Sequence, residues 1–214
     1  MFIEVVDAFR CTRDHEVTWL VASADRLEDR DIITGALGCP VCGARYPIVD
    51  GVADFRDLAD RQPTTAAPPA PDLGERAVRA AALLGLTEPG GMVVLAGTWG
   101  AAAHEVSALV EGIHVLAINP PGLVAGGFGV SVALAGRTLP LRPESVRGVA
   151  LDAAHADGPF LESSAAALKA AGRLLAPVHA PLPAGVLERA RDARDWLGEK
   201  HTLTALARAA APSR

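Results

Sequence analysis

The stretch Gly91 to Gly100, GMVVLAGTWG, restricts what this chain can fold into more than any other. Its five apolar residues, Met92 to Ala96, suit a strand buried on both faces, and Gly97 to Gly100 then turn the chain into a helix beginning near Ala101. A strand of that kind belongs to a layered α/β domain, where the turn after it is the usual ligand-binding position. The downstream pattern agrees. Residues 75–86 predict a helix with Val78, Ala81, Ala82 and Leu86 on one face, and residues 101–110 and 160–171 predict two more. Strands are expected at 92–96, 113–118, 130–134, 145–151 and 172–176; residues 183–197 are amphipathic and charged, and a short final strand is expected at 202–207. Strands separated by helices of this length predict a doubly wound, mostly parallel, Rossmann-like sheet.

Residues 1–56 read differently, as a small β-rich module. Residues 2–6 and 16–22 are strand-like, 11–15 form a turn, and 24–31 read as loop or short helix. In Cys39-Pro40-Val41-Cys42-Gly43 one tight turn presents two thiolates, and the glycine can take a positive φ so that backbone N–H groups point at the sulfurs. That pattern predicts a zinc knuckle; the plainer reading is a turn that holds no metal. Residues 46–49, Asp50-Gly51 and Val52 predict a hairpin with a type I′ turn. A four-coordinate zinc needs two more ligands, and Cys11 lies upstream in a matching turn beside Asp14 and His15. The expected metal ligands are Cys11, His15, Cys39 and Cys42, with Asp14 competing for the fourth position.

Residues 57–71 are rich in Pro, Ala and Thr and lack apolar periodicity, so the chain divides into a ribbon-like module (1–56), a linker (57–72) and a Rossmann-like domain (73–214). The sequence has three cysteines, two of them separated by only two residues, which suits metal binding in a reducing compartment better than a disulfide framework. The net charge of −5, with Lys and Arg scattered, argues against a dedicated nucleic-acid surface. No apolar run approaches the roughly 20 residues that span a bilayer, and the N-terminus carries acids where a signal peptide is basic, so a cytoplasmic location is expected.

Two resemblances follow from these motifs. Cys39-Pro40-x-Cys42, Tyr46-Pro47-Ile48-x-Asp50-Gly51 and the position of Cys11 make the first quarter similar to the zinc-ribbon family that includes the small activator subunit of tRNA and release-factor methyltransferases. Four-cysteine members of that family carry a cysteine where Asp14 stands here. Residues 75 to about 180 resemble the class I S-adenosylmethionine-dependent methyltransferases, in their small-molecule and lipid-type branch. The matching stretches are Val93 to Gly100, RTLPLRPESVRGV (137–149) and AAALKAAGRLL (165–175).

This second resemblance implies S-adenosylmethionine as cofactor, with Gly97, Trp99, Gly100 and Asn119 at its site. Three acids that such a site uses are missing. Val93 to Ala96 are apolar where the glycine-loop acid belongs, Asn119 ends the second strand, and Ala135-Gly136-Arg137 holds no acid. Asn119 is no anionic acceptor, and the Trp99 indole fills part of a nucleotide pocket. The expectation is a degenerate cleft in a non-catalytic binding or scaffold protein, whose ribbon meets a protein partner or a second copy of the chain. The alternative is an active methyltransferase on a small-molecule or lipid-like substrate, with His155 as general base oriented by Asp152 or Asp157. The plainer reading of those three residues is a polar loop. Asn119-Pro120-Pro121 reads as a turn, His104, His114, His179 and His201 as structural or solvent-facing, and Trp19 and Trp196 as packing anchors.

Overall fold

The computed structural model describes residues 1–61, 72–122, 124–127 and 129–201. In the N-terminal quarter, β1 (Val21–Glu28), β2 (Asp31–Gly38), β3 (Arg45–Val49) and β4 (Val52–Asp54) form an antiparallel meander. β3 and β4 are joined by Asp50 and Gly51 at φ of 50° and 77°, the left-handed pair that a type I′ hairpin requires. Next come α1 (Leu73–Leu84), β5 (Met92–Ala96), α2 (Ala103–Leu109), β6 (His114–Ile118), β7 (Val130–Leu134) and β8 (Val146–Ala150). The described chain finishes with α3 (Gly158–Ala167), β9 (Leu168–Pro177), β10 (Val186–Arg191) and β11 (Asp195–Lys200).

β7, β6, β5, β8 and β9 lie side by side and parallel, the Rossmann-like arrangement expected from the sequence. Alternate residues of these strands meet different layers. Val93 and Leu95 of β5 pack with Ala77, Ala80 and Leu84 of α1 and with Ala103 and Val106 of α2. Val94 and Ala96 pack on the opposite face with Phe160, Leu161 and Ala165 of α3. Most of these strand residues are aliphatic and wholly buried, which is why the apolar pentads were legible as strands.

Residues 1–56 do not stand apart from this sheet. β4 pairs in parallel with β7, Val52 opposite Val132 and Asp54 opposite Leu134, so one eleven-stranded sheet runs through the molecule in the order β1-β2-β3-β4-β7-β6-β5-β8-β9-β11-β10. No helix occurs among the described residues between β7 and β8. There the N-terminal segment covers the sheet: Val5, Val6 and Phe9 join the core that contains Val146 and Val149. Arg10 N–H donates to Pro140 O at 3.0 Å and Arg142 N–H to Ala8 O at 2.8 Å. The ribbon and the Rossmann-like part are successive in sequence but continuous in hydrogen bonding.

Several local expectations change. The segment expected as a strand at 2–6 is a 3-10 turn, Ile3–Ala8, whose buried side chains, Val5, Val6 and Ala8, follow helical spacing and not alternation. The strand expected at 16–22 is displaced to β1, and 24–31, expected as loop or short helix, is mostly β1. Helix α1 buries Ala77, Ala80 and Leu84, whereas Val78, assigned to its inner face, is exposed. The helix expected at 160–171 stops at Ala167, and Leu168 already belongs to β9. Residues 183–197 contribute to the β10–β11 hairpin, in which Trp196 is fully buried with Nε1–H on Ala180 O at 2.9 Å. Trp19 is 62% exposed, so its indole is not a buried packing anchor, although its backbone bridges to Arg10. The strand expected at 202–207 and most of the linker lie outside the described residues. No described helix is long and apolar enough to cross a membrane.

Candidate functional site

Two clusters of polar side chains stand out, one in the ribbon and one at the carboxyl edge of the parallel strands. In the ribbon, the knuckle turn closes with Gly43 N–H on Cys39 O at 3.0 Å and Cys39 N–H on Ala44 O at 2.8 Å, and Gly43 takes φ of 71°. The turn that carries Cys11 and His15 faces it. The ligand atoms of Cys11, His15, Cys39 and Cys42 all lie within 4.8 Å of one another. Asp14 is exposed and outside this group.

These residues fit a tetrahedral metal. Zinc–sulfur bonds of 2.3 Å at the tetrahedral angle put two sulfurs about 3.8 Å apart, and a sulfur and an imidazole nitrogen about 3.5 Å apart. The Cys11 and Cys42 Sγ atoms are 3.7 Å apart, and Cys39 Sγ is 3.4 Å from His15 Nε2. His15 Nδ1 is 2.6 Å from Glu16 O. Nδ1 therefore carries the proton and leaves the Nε2 lone pair for the metal. That same bond raises the pKa of the His15 ring. Burial by itself would raise the Cys39 thiol, but the N–H groups of Cys42 and Val41 aimed at its sulfur bring it down to about 7, so a thiolate is accessible near neutrality.

At the other cluster, β5 ends in a tight loop, Gly97–Ala102, and Asp152, two residues past the end of β8, lies beside it. Asp152 Oδ2 accepts the Thr98 N–H at 2.8 Å, and Oδ1 accepts the His155 Nδ1–H at 2.6 Å. The carboxylate lies directly on Gly97, whose φ is 59°; a Cβ there would overlap it. Asn119, at the end of β6, is clamped to β7: Oδ1 accepts Ala135 N–H at 2.9 Å and Nδ2–H donates to Ala135 O at 3.0 Å. The second Nδ2–H points at His155 Nε2, 2.9 Å away. Because Ala135 fixes the orientation of the amide, Nε2 must be the acceptor, which makes His155 a neutral imidazole protonated on Nδ1. Burial opposes ionisation of Asp152, but the bonds from His155 and Thr98 prevail and hold its pKa below the ordinary value.

The sequence-named residues therefore meet in an unforeseen way. Gly97 and Gly100 are buried in the loop, Asn119 reaches the same cluster, and His155 is oriented by Asp152, whereas Asp157 is exposed at the start of α3. Trp99 packs part of its indole against the α1/α2 core and lines a cavity of about 530 Å³ with Arg76, Arg79, Leu151, Asp152 and Pro177. Sequence reasoning missed that Asp152 lies against the glycine loop and that Asn119 turns its amide to Ala135 and His155. Both depend on side-chain reach between strand ends that are neighbours only in the folded sheet.

No protein-family model and no curated protein matches the sequence. Similar solved structures include a geranyl diphosphate methyltransferase in complex with S-adenosylmethionine, 14% identical over 48% of each chain, with a TM-score of 0.39. A complex between the Haloferax volcanii Trm112 methyltransferase activator and a methyltransferase is 20% identical over 50% of this chain and 56% of that one, with a TM-score of 0.36. A protein described as an S-adenosylmethionine-dependent methyltransferase from Methanococcus maripaludis is 8% identical over 63% of this chain and 87% of that one, with a TM-score of 0.43. The match spans about half the length of the first two.

Proposed function

We propose that this chain is a non-catalytic, methyltransferase-like binding or scaffold protein whose N-terminal ribbon holds a zinc ion. The observation that carries the reading is the hydrogen-bond circuit that runs from the glycine loop through Asp152 and His155 to Asn119. Thr98, Asp152, His155, Asn119 and Ala135 satisfy one another, and the Asp152 carboxylate lies against Gly97, where a close approach to a ligand would otherwise be made. A ribose that took the Asn119 amide for itself would break the Asn119–Ala135 pair and leave buried backbone groups unpaired, at about 1–3 kcal/mol. His155 spends its only lone pair on Asn119, so it holds no free base.

Cys11, His15, Cys39 and Cys42 would hold the zinc, which when bound is a closed four-ligand structural centre that ties residues 11–15 to residues 39–42. The ribbon also offers a contact surface. Val17, Trp19 and Val21, alternate residues of one extended segment, are all more than half exposed, the kind of surface that receives a protein partner or a second copy of the chain.

Isothermal calorimetry on the full chain with S-adenosylmethionine and S-adenosylhomocysteine tests the closed cleft. No heat of binding is expected at micromolar concentrations, and binding at low micromolar affinity overturns the reading. One observation favours a second reading, a working methyltransferase. The 530 Å³ cavity remains beside Trp99, and Arg76, at 2.5 Å from Thr98 O, lies at its rim. Under that reading the same titration gives saturable binding, which Asn119→Ala weakens. Elemental analysis after purification without chelators tests the metal separately. One zinc per chain is expected, and much less removes the ribbon claim.

A further inference from the structure

Tyr46 is the residue at the ribbon centre that no ligand set includes. Its ring is buried and packs against Phe55, tilted by 34° at 4.7 Å between centroids, and Phe55 packs in turn against Phe9, tilted by 39° at 4.8 Å. Phe55 continues the β4–β7 join, with its N–H on Leu134 O at 2.7 Å, and Phe9 bridges to Leu141. The ring is therefore held from behind by the contacts that join ribbon to sheet, and its hydroxyl is aimed at the turn that carries Cys11.

Around that hydroxyl are Cys11 Sγ at 3.2 Å, Thr12 N at 3.1 Å and Thr12 Oγ1 at 3.0 Å. A phenol oxygen has two lone pairs and one proton. The Thr12 N–H takes one lone pair and the Thr12 hydroxyl can give its proton to the other, which leaves the Tyr46 O–H with Cys11 Sγ as its acceptor. The arrangement is complete when Cys11 is a thiolate. With Cys11 as a thiol donating to the same oxygen, the phenol proton would turn to Thr12 Oγ1 instead, so the Tyr46 O–H points at sulfur only when Cys11 is the acceptor.

We propose that Tyr46 positions and tunes Cys11 as a metal ligand by donating its hydroxyl proton into a hydrogen bond with the Cys11 thiolate, and that the Tyr46–Phe55–Phe9 ring cluster ties this ligand to the join between ribbon and sheet. The proposal rests on the zinc reading given above. Such a bond draws electron density from sulfur, and removing partners outside the ligand set typically lowers metal affinity about 10- to 100-fold. Tyr46→Phe keeps the ring and its packing and removes only the hydroxyl.

The test uses the full chain. Wild-type protein that takes up no zinc or cobalt ends the zinc reading, and Tyr46 falls with it. If the metal binds, competition with a chromophoric chelator should show Tyr46→Phe binding zinc about 10- to 100-fold more weakly. The cobalt-substituted variant should show its thiolate-to-metal charge-transfer band moved to longer wavelength, because the sulfur lone pair is no longer stabilised. Thr12→Val, which leaves the Tyr46–Cys11 bond in place, should stay within about threefold of wild type. Unchanged affinity and an unchanged band in Tyr46→Phe overturn the proposal, as does an equal loss in Thr12→Val. Should Tyr46→Phe not fold, the wild type decides. The sequence contains one tyrosine, so its resonance Raman doublet reports this residue alone. Adding zinc to the metal-free protein must shift that doublet toward a donating hydroxyl, and no shift overturns the assignment.

Discussion

The two polar clusters use overlapping residue types and reach opposite arrangements. In the ribbon, Cys11, His15, Cys39 and Cys42 turn their ligand atoms toward one another, and the one His15 nitrogen that could be satisfied elsewhere is bonded to Glu16 O. At the sheet's carboxyl edge, His155 has both nitrogens committed, one to Asp152 and one to Asn119. A histidine beside an acid is a common sign of catalysis, yet here the acid and the amide complete its hydrogen bonding. The difference teaches that a chemical role depends on whether a lone pair is left uncommitted as much as on residue identity.

The largest expected effect breaks the ribbon side of this contrast. Cys39→Ala should abolish zinc retention and lower the thermal midpoint by about 10 °C or more, because a structural zinc supplies much of the folding energy of such a module. Hydrogen exchange should then rise in β2 and β3 and stay low in β5 and β8; equal loss in all four strands would mean that the regions are not separable. On the cleft side, Asn119→Ala leaves the Ala135 N–H and O and the His155 Nε2 without partners, so a cost of about 1–3 kcal/mol in urea denaturation is expected. An unchanged midpoint would show that the circuit holds nothing together.

Acid titration sharpens the same side. Asp152 has a folded-state pKa below its ordinary 3.8, so its ionised form favours the native state; that contribution is full above about pH 4 and is lost as the pH falls through the lower folded value. Urea midpoints measured down the acid limb should therefore decline less steeply in Asp152→Asn than in wild type, and equal slopes would remove Asp152 as a stabilising anion. The smallest effect is expected for Trp19→Ala. Because Trp19 is exposed, stability should stay within about 0.5 kcal/mol and zinc content should not change; a large loss of thermal stability would show that Trp19 packs against the chain itself.

Legibility followed the range of the interactions. The knuckle of Cys39 to Gly43 and the Asp50-Gly51 hairpin are decided within a few residues by φ preferences and turn length, and both were readable. The strands from Met92 to Ala96 and His114 to Ile118 were readable because burial on both faces leaves unbroken apolar runs. Ile3 to Ala8 was misread because six residues of mixed polarity fit either period. The end of α3 was misplaced because Leu168 to Ala171 are good helix formers that the pairing of β9 draws into the sheet. Asp152 was legible only as a possible orienting acid, since nothing local says that its carboxylate reaches Gly97 across two strand ends.

By itself, then, the sequence determined a parallel α/β sheet and a cysteine turn with its hairpin, both of which depend on backbone preference or on residue chemistry at single positions. Only the tertiary structure decided that β4 pairs with β7, that residues 3–9 take the place of a helix over the sheet, that His15 and not Asp14 lies with the three cysteines, and that Asn119 reaches His155. Those outcomes rest on contacts between residues tens of positions apart. Their geometry is set by the register and twist of a shared sheet, and no window of sequence contains it.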